Sequence, residues 1–393
     1  FIALIVQFVA TFVLANIFLA IGLVITTGFC FRRQIQWQWN PLTLKRIKRF
    51  KQIYRGSWSF YVLISFWFLS LFAELIVSNR ALVVYHENHW YFPTYSKVHL
   101  GTEFGYTEVE QFIPTDYRHL QKKFRTEAHG DFVLMPIIPF SPNENNTFEG
   151  VLKARPPSWT DQHYLGTDET GRDILARLIY GFRITVFFAL FFTLFTYLIG
   201  VTLGCIMGYM GGFFDLFFQR LIEIWSNIPF LYTVLIVFSI IPSALDAYVK
   251  VVVLLVIMVL FSWTHLTYYM RTETLRERAR DYSAAAIVLG ASPFRVVFHH
   301  ILPNTISTLV TFAPFTISSA IAAITALDFL GYGLPAPTPS IGELLKQGRA
   351  NITTAPWIVI SAFLSLTVLL TLVTFVGEAV REAFDPKKFT KYL

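Results

Sequence analysis

Charge is scarce in this sequence. Asp, Glu, Lys and Arg supply 15% of its 393 residues, against about 25% in soluble domains. An ordinary water-soluble globule is excluded, because 54% of the chain is hydrophobic, with 40 Phe among its residues. Cysteine is nearly absent. Cys30 and Cys205 lie far apart in apolar runs, so neither a disulfide framework nor a CxxC metal site can be built. Acid is missing altogether before Glu74. The net charge of +7 could suit nucleic acid, but the basic residues gather in short segments beside apolar runs. That is the pattern of loops retained on the cytoplasmic side of a membrane, and no nucleic-acid partner is expected.

What the sequence does have is a series of apolar runs about 20 residues long, the length that crosses a hydrocarbon core of about 30 Å. Seven such spans are expected, at 1–31, 58–77, 184–207, 216–241, 251–270, 305–329 and 357–377. The fold class is therefore an all-α polytopic membrane protein embedded in a lipid bilayer. The run 1–31 is too long for a signal-peptide core and reads as an extra N-terminal span. Segment 32–57, rich in Lys and Arg, is expected in the cytoplasm, as are the loop 271–303 and the tail 379–393. Between the spans, 78–162 mixes acids, bases, prolines and His, with short alternating pieces at 81–85 and 132–135 that read as strands. It forms a small extracytoplasmic insertion, too short to bury a large core alone.

At 163–183 comes Leu165-Gly166-Thr167-Asp168-Glu169-Thr170-Gly171-Arg172-Asp173, followed by apolar residues at three- and four-residue steps with Arg177 and Arg183 between them. That spacing predicts an amphipathic helix on the outer membrane surface. Gly166 and Gly171 are spaced as in a phosphate loop. Arg172-Asp173 stands where Lys and Ser or Thr are required, however, and Asp168 with Glu169 would repel phosphate. The span region 184–378 then contains the loop at Asp281-Tyr282-Ser283-Ala284-Ala285-Ala286, Gly290, Leu302 and Pro303. Physically this is a short helix N-capped by Asp281, a bend at Gly290, and a second helix that stops before Pro303, which opens the next span. Ala284, Ala285 and Ala286 offer a bare face that another protein's groove can approach closely.

This loop resembles the ATPase-coupling loop of ABC importer permeases, on Ala285, Ala286, Gly290, Leu302 and Pro303. Ala284 stands where that family usually has Glu. The LGTDxxGRD run resembles the signature of the dipeptide, oligopeptide and nickel branch. Further resemblances are Gly211-Gly212 with Asp215, Arg220, Glu223 and Pro229, then 327–342, and Gly377 to Pro386; together they cover roughly 50–386. The long insertion is similar to the subtype of microcin C and oligopeptide importers with an enlarged periplasmic domain, in which the span 1–31 is not usual. The resemblance implies a transport subunit in the bacterial inner membrane, not an enzyme. It also implies a second permease, two ATPase domains that bind ATP and Mg, a periplasmic solute-binding protein and a peptide-like substrate. A nickel importer is the alternative.

Two further readings follow from the residues. Asp328 follows an apolar run and precedes a Gly- and Pro-rich loop, where an unpaired carboxylate would be costly in lipid. It is expected at the outer mouth of the translocation path. His86, His89 and His99 form the most metal-like cluster and would suit a membrane-embedded metalloenzyme, but a surface role is the expectation for them.

Overall fold

A computed structural model describes residues 41–106, 114–127, 130–146, 154–240 and 247–385. The chain divides into two compact units, Phe1–Gln52 and Ile53–Leu393. In the first, the described part is helix α1, Pro41–Gln52, which carries Lys45, Arg46, Lys48, Arg49 and Lys51. The expected extra span at 1–31 lies outside the described residues.

The second unit opens with α2 (Tyr54–Leu71) and the short α3 (Ala73–Ile76). The insertion follows: β1 (Val83–His86), β2 (His89–Tyr91), α4 (Tyr117–Glu127) and β3 (Phe132–Leu134). The strands form one antiparallel sheet in the order β2-β1-β3, with Val84 opposite both Tyr91 and Val133. The hairpin turns on Glu87 and Asn88, both with positive φ, as a two-residue hairpin of this kind requires. Leu120 and Phe124, four apart on α4, close over Val84, Val133 and Phe104 to make a small core. Both expected strand pieces are present, each shifted by one or two residues.

The membrane part comprises α5 (Ile174–Met210), α6 (Gly212–Ser226), α7 (Phe230–Ile240), α8 (Ala247–Arg278), α9 (Asp281–Val288), α10 (Pro293–Arg295), α11 (Leu302–Leu330), α12 (Ile341–Ala350) and α13 (Pro356–Phe384). Among the described residues, four stretches are long and apolar enough to cross a membrane: Ile174–Met210, Val249–Arg278, Pro293–Leu330 and Pro356–Phe384. A fifth is added if α6 and α7, bent by 72°, count as one span. The expected span at 216–241 is thus broken, with Asn227, Ile228 and Pro229 at the break. The expected span at 58–77 corresponds to α2, which is 18 residues long and has Arg55, Gly56, Ser57 and Ser59 in its first turns. It is not among the four.

Two other expectations change. The amphipathic stretch at 171–183 is not a separate surface helix, because α5 runs through it without a break for 37 residues, roughly 55 Å at 1.5 Å per residue. Its first turns bury Ile174 and Leu178 against the same core as Ile341 and Ile358. Pro303 stands in the first turn of α11, as expected, but the helix before it does not stop: Pro293–Leu330 is one long element with a π-turn at Val296–Ile301, two residues ahead of the proline. A proline lacks the N–H that would bond the carbonyl four residues back and clashes with it; the wider turn absorbs both problems.

Helices α5 and α8 pack against each other along a glycine face. Gly200, Gly204 and Gly208 recur every four residues on one face of α5, and a Cβ at Gly204 would sit 2.6 Å from the carbonyl oxygen of Thr267. Small residues at this spacing let two backbones approach without side chains between them.

Candidate functional site

The LGTDxxGRD run folds into a tight loop whose own residues satisfy one another. Asp168 is fully buried and accepts from the backbone N–H groups of Thr170 (2.9 Å) and Arg172 (3.0 Å), from the Thr170 hydroxyl (2.9 Å) and from Arg172 Nε (2.7 Å). Gly166 and Gly171 both have φ near +80°, a region that side chains disfavour. A Cβ at Gly171 would also lie 2.2 Å from the carbonyl oxygen of Asn146. Thr167 ties the loop to the insertion, its hydroxyl accepting from Arg155 N–H at 2.8 Å, and to α13, its carbonyl accepting from Trp357 Nε1 at 3.1 Å. Asp173 is the N-cap of α5: one carboxylate oxygen accepts from Ala176 N–H at 2.7 Å, and the other meets His163 Nδ1 at 2.8 Å. His163 is itself buried and stacks on Phe140, 3.9 Å between ring centroids.

The motif's two arginines point at Glu343, a residue that sequence reading did not single out. Arg172 Nη2 donates to its Oε1 at 3.1 Å, and Arg177 Nη2 to its Oε2. Arg177 is fully buried and also donates to the Pro142 carbonyl at 3.0 Å. Glu343 lies in the first turn of α12, which Ser340 caps by accepting from Glu343 N–H at 3.0 Å. Two guanidiniums therefore face two carboxylates, Asp168 and Glu343, in a balanced network that joins the insertion, α5 and α12. Buried charges are tolerable only in such pairs. Sequence offered one signal, the Ser340-x-x-Glu343 spacing of a capping box, but nothing in it named the arginines as partners.

Asp328 sits close by, and its carboxylate is turned into the chain. It is 6% exposed and accepts from Leu334 N–H at 2.5 Å. Gly333 and Gly342 are packed so tightly around it that a Cβ on either would collide with Asp328. The Leu334 N–H and the close packing of Gly333 and Gly342 hold this carboxylate within its own loop.

At the other end of the membrane helices, the 281–303 loop has a different character. Arg280 occupies the N-cap position of α9 but makes no side-chain capping bond, and Asp281 is the first helical residue. Asp281 is therefore not the cap. Gly290 has φ +81° and marks the bend. The alanine face divides: Ala286 is buried against Val296 and Ile301, whereas Ala284 and Ala285 are exposed. The exposed side continues into Val288 and Leu289, both 86% exposed, and Phe294, 68% exposed. Leu302 packs toward Cys205, Leu266 and Met270, while Pro303 is exposed. The histidines of the insertion are separately engaged: His86 with Asp131 at 2.6 Å, His99 with Glu103 at 2.5 Å, and His89 with the Glu87 carbonyl at 2.8 Å. Among the described residues no three metal-ligating side chains converge.

Long apolar helices, a small inserted domain stitched to them by a buried charge network, and an apolar loop exposed at the opposite end define a multi-pass membrane permease. The family described as "binding-protein-dependent transport system inner membrane component" matches residues 200–390. The chain is 42% identical over 349 residues to the inner membrane ABC transporter permease protein YejE of Escherichia coli, covering 89% of this chain and 98% of the relative. It is 37% identical over 372 residues to the peptidoglycan transport system permease protein YejE of Agrobacterium fabrum, with 89% and 94% covered. The dipeptide transport system permease protein DppC of Haemophilus influenzae is 37% identical over 261 residues, with 65% of this chain and 85% of the relative covered. The chain belongs to this family of inner-membrane ABC importer permeases; it is a transport subunit, not an enzyme.

Proposed function

We propose that this chain imports peptide-like solutes as one of two permeases around a shared pore, driven by two ATPase domains and fed by a solute-binding protein. The observation that carries this reading is the exposed apolar tip of the 281–303 loop. Val288, Leu289 and Phe294 are solvated at a cost unless a partner covers them. Ala284 and Ala285 beside them leave room for a groove to close in, which supports the loop as the ATPase contact. Asp281, Ala284, Ala285, Ala286, Gly290, Leu302 and Pro303 are the residues of that contact or of its frame. The balanced network of Asp168, Arg172, Arg177 and Glu343 supports an outer side that moves as one rigid piece.

The peptide reading rests on the names of the relatives. YejE proteins cover 89% of this chain and DppC 65%, which favours the subtype with the enlarged outer domain. The test is ATP-driven uptake into liposomes by the assembled complex, with a mixture of tri- to pentapeptides and, separately, with nickel ions. Uptake of peptides that stops when ATP is withheld is the expected result. Uptake of nickel alone would replace the substrate class, and uptake without ATP would overturn the importer.

A further inference from the structure

Three elements meet where α8 ends, α9 begins and α11 starts, and a carboxylate–tyrosine pair links them. Glu277, in the last turns of α8, is 6% exposed. Its Oε2 accepts from the Tyr282 hydroxyl at 2.8 Å. Its Oε1 faces Arg280 Nε at 3.0 Å and Arg276 Nε at 3.8 Å. Its backbone carbonyl accepts from the buried Ser283 hydroxyl at 2.9 Å. The Tyr282 hydroxyl also contacts the Asn304 side chain, and Asn304 in turn donates to the His300 carbonyl at 2.7 Å in the π-turn. Burial, with Glu277 beside it, pushes the Tyr282 phenol up from its ordinary range, so it remains a hydroxyl donor.

We propose that Glu277 and Tyr282 form a clasp that positions the ATPase-facing helix and passes its displacement to the spans on both sides of it. The inference rests on the function proposed above. The physical reason is the size of α9. A helix of eight residues is far below the length that is stable alone, and only Ser283 and Ala286 on it are buried. Apolar packing through one alanine cannot make such a helix move rigidly with its neighbours. A buried carboxylate bonded to a tyrosine five residues on can, because charge-assisted hydrogen bonds are directional and strong in a site shielded from water. Glu277 acts through Tyr282 and is a positioning residue.

The test uses the whole complex in liposomes, the tri- to pentapeptide mixture as probe, and two conservative variants, Tyr282→Phe and Glu277→Gln. Neither changes side-chain volume much, so insertion and folding are kept. The readout is peptide taken up per ATP hydrolysed, alongside co-purification of the ATPase subunits. The expected result is a fall of about tenfold in that ratio, the factor expected for one charge-assisted hydrogen bond, with the ATPase subunits still bound. The double variant is expected to be no worse than the poorer single, since both remove the same link. A wild-type ratio in both variants overturns the clasp, as does loss of the ATPase subunits or an equal fall in uptake and hydrolysis. If the unaltered complex shows no ATP-driven uptake, it is the function that fails, and the two failures are distinguished.

Discussion

Arg177, fully buried in the first turns of α5, donates to Glu343, 166 positions further along the chain. Because Arg172 reaches the same carboxylate, removing Glu343 leaves two guanidiniums to share Asp168 as their carboxylate partner, one of them fully buried. Glu343→Ala is expected to destabilise the protein by about 3–5 kcal/mol, the cost of breaking a buried pair from one side. Thermal unfolding in detergent measures it. Replacing Arg177 and Glu343 together by Met and Leu should cost less than Glu343→Ala alone, since no lone charge is left behind.

The cap of α5 gives a smaller, separable effect. Asp173→Ala removes the bond to Ala176 N–H and the partner of His163, and should cost about 1–2 kcal/mol. Asp173→Asn keeps an acceptor for the cap and should recover most of it in the same unfolding assay.

Close backbone contact between α5 and α8 predicts a steric result. Gly204→Leu places a side chain where 2.6 Å separates a Cβ from the Thr267 carbonyl oxygen. The helices must part, at about 3 kcal/mol or more, and the variant should be recovered from membranes in greatly reduced yield. Gly212→Ala serves as the control, since nothing lies within 4 Å of a Cβ there, although its φ of +57° leaves a modest strain.

Orientation is tested at Asn145. With the insertion outside, Asn145→Cys in intact cells should react with an impermeant thiol reagent, whereas Cys205 is buried and should not. Protection of the new thiol until lysis would invert the whole arrangement.

Much of this architecture could be read from sequence, for physical reasons that also explain the misses. Apolar length reports burial in lipid directly, so the spans at 184–207, 251–270, 305–329 and 357–377 all fall inside long helices. Helix continuity is less visible. The change from amphipathic to fully apolar near residue 184 reflects a change of surroundings along one helix, although in sequence it looks like a boundary. Pro303 suggested a stop because a regular α-turn cannot pass a proline comfortably, while a π-turn can. Glu343 is silent in the sequence because side-chain pairing across 166 positions leaves no periodic trace. The glycine ridge at 200, 204 and 208, by contrast, was there to be read in its four-residue spacing.

If the loop at 281–303 carries ATPase action to the pore, a bulky charge at Ala285 should break that link. Ala285 is exposed on the face that continues into Val288 and Leu289, so the change leaves the isolated permease intact. Gly290→Val is measured beside it; it opposes the bend at φ +81° with nothing within 4 Å to collide with. The measurement is co-purification of the ATPase subunits together with ATP-driven peptide uptake. Ala285→Arg is expected to weaken the ATPase contact by a factor of about 100 or more and to abolish uptake, with the permease still inserted in the membrane. Wild-type co-purification and uptake in both variants would contradict it and leave the loop a mere connector.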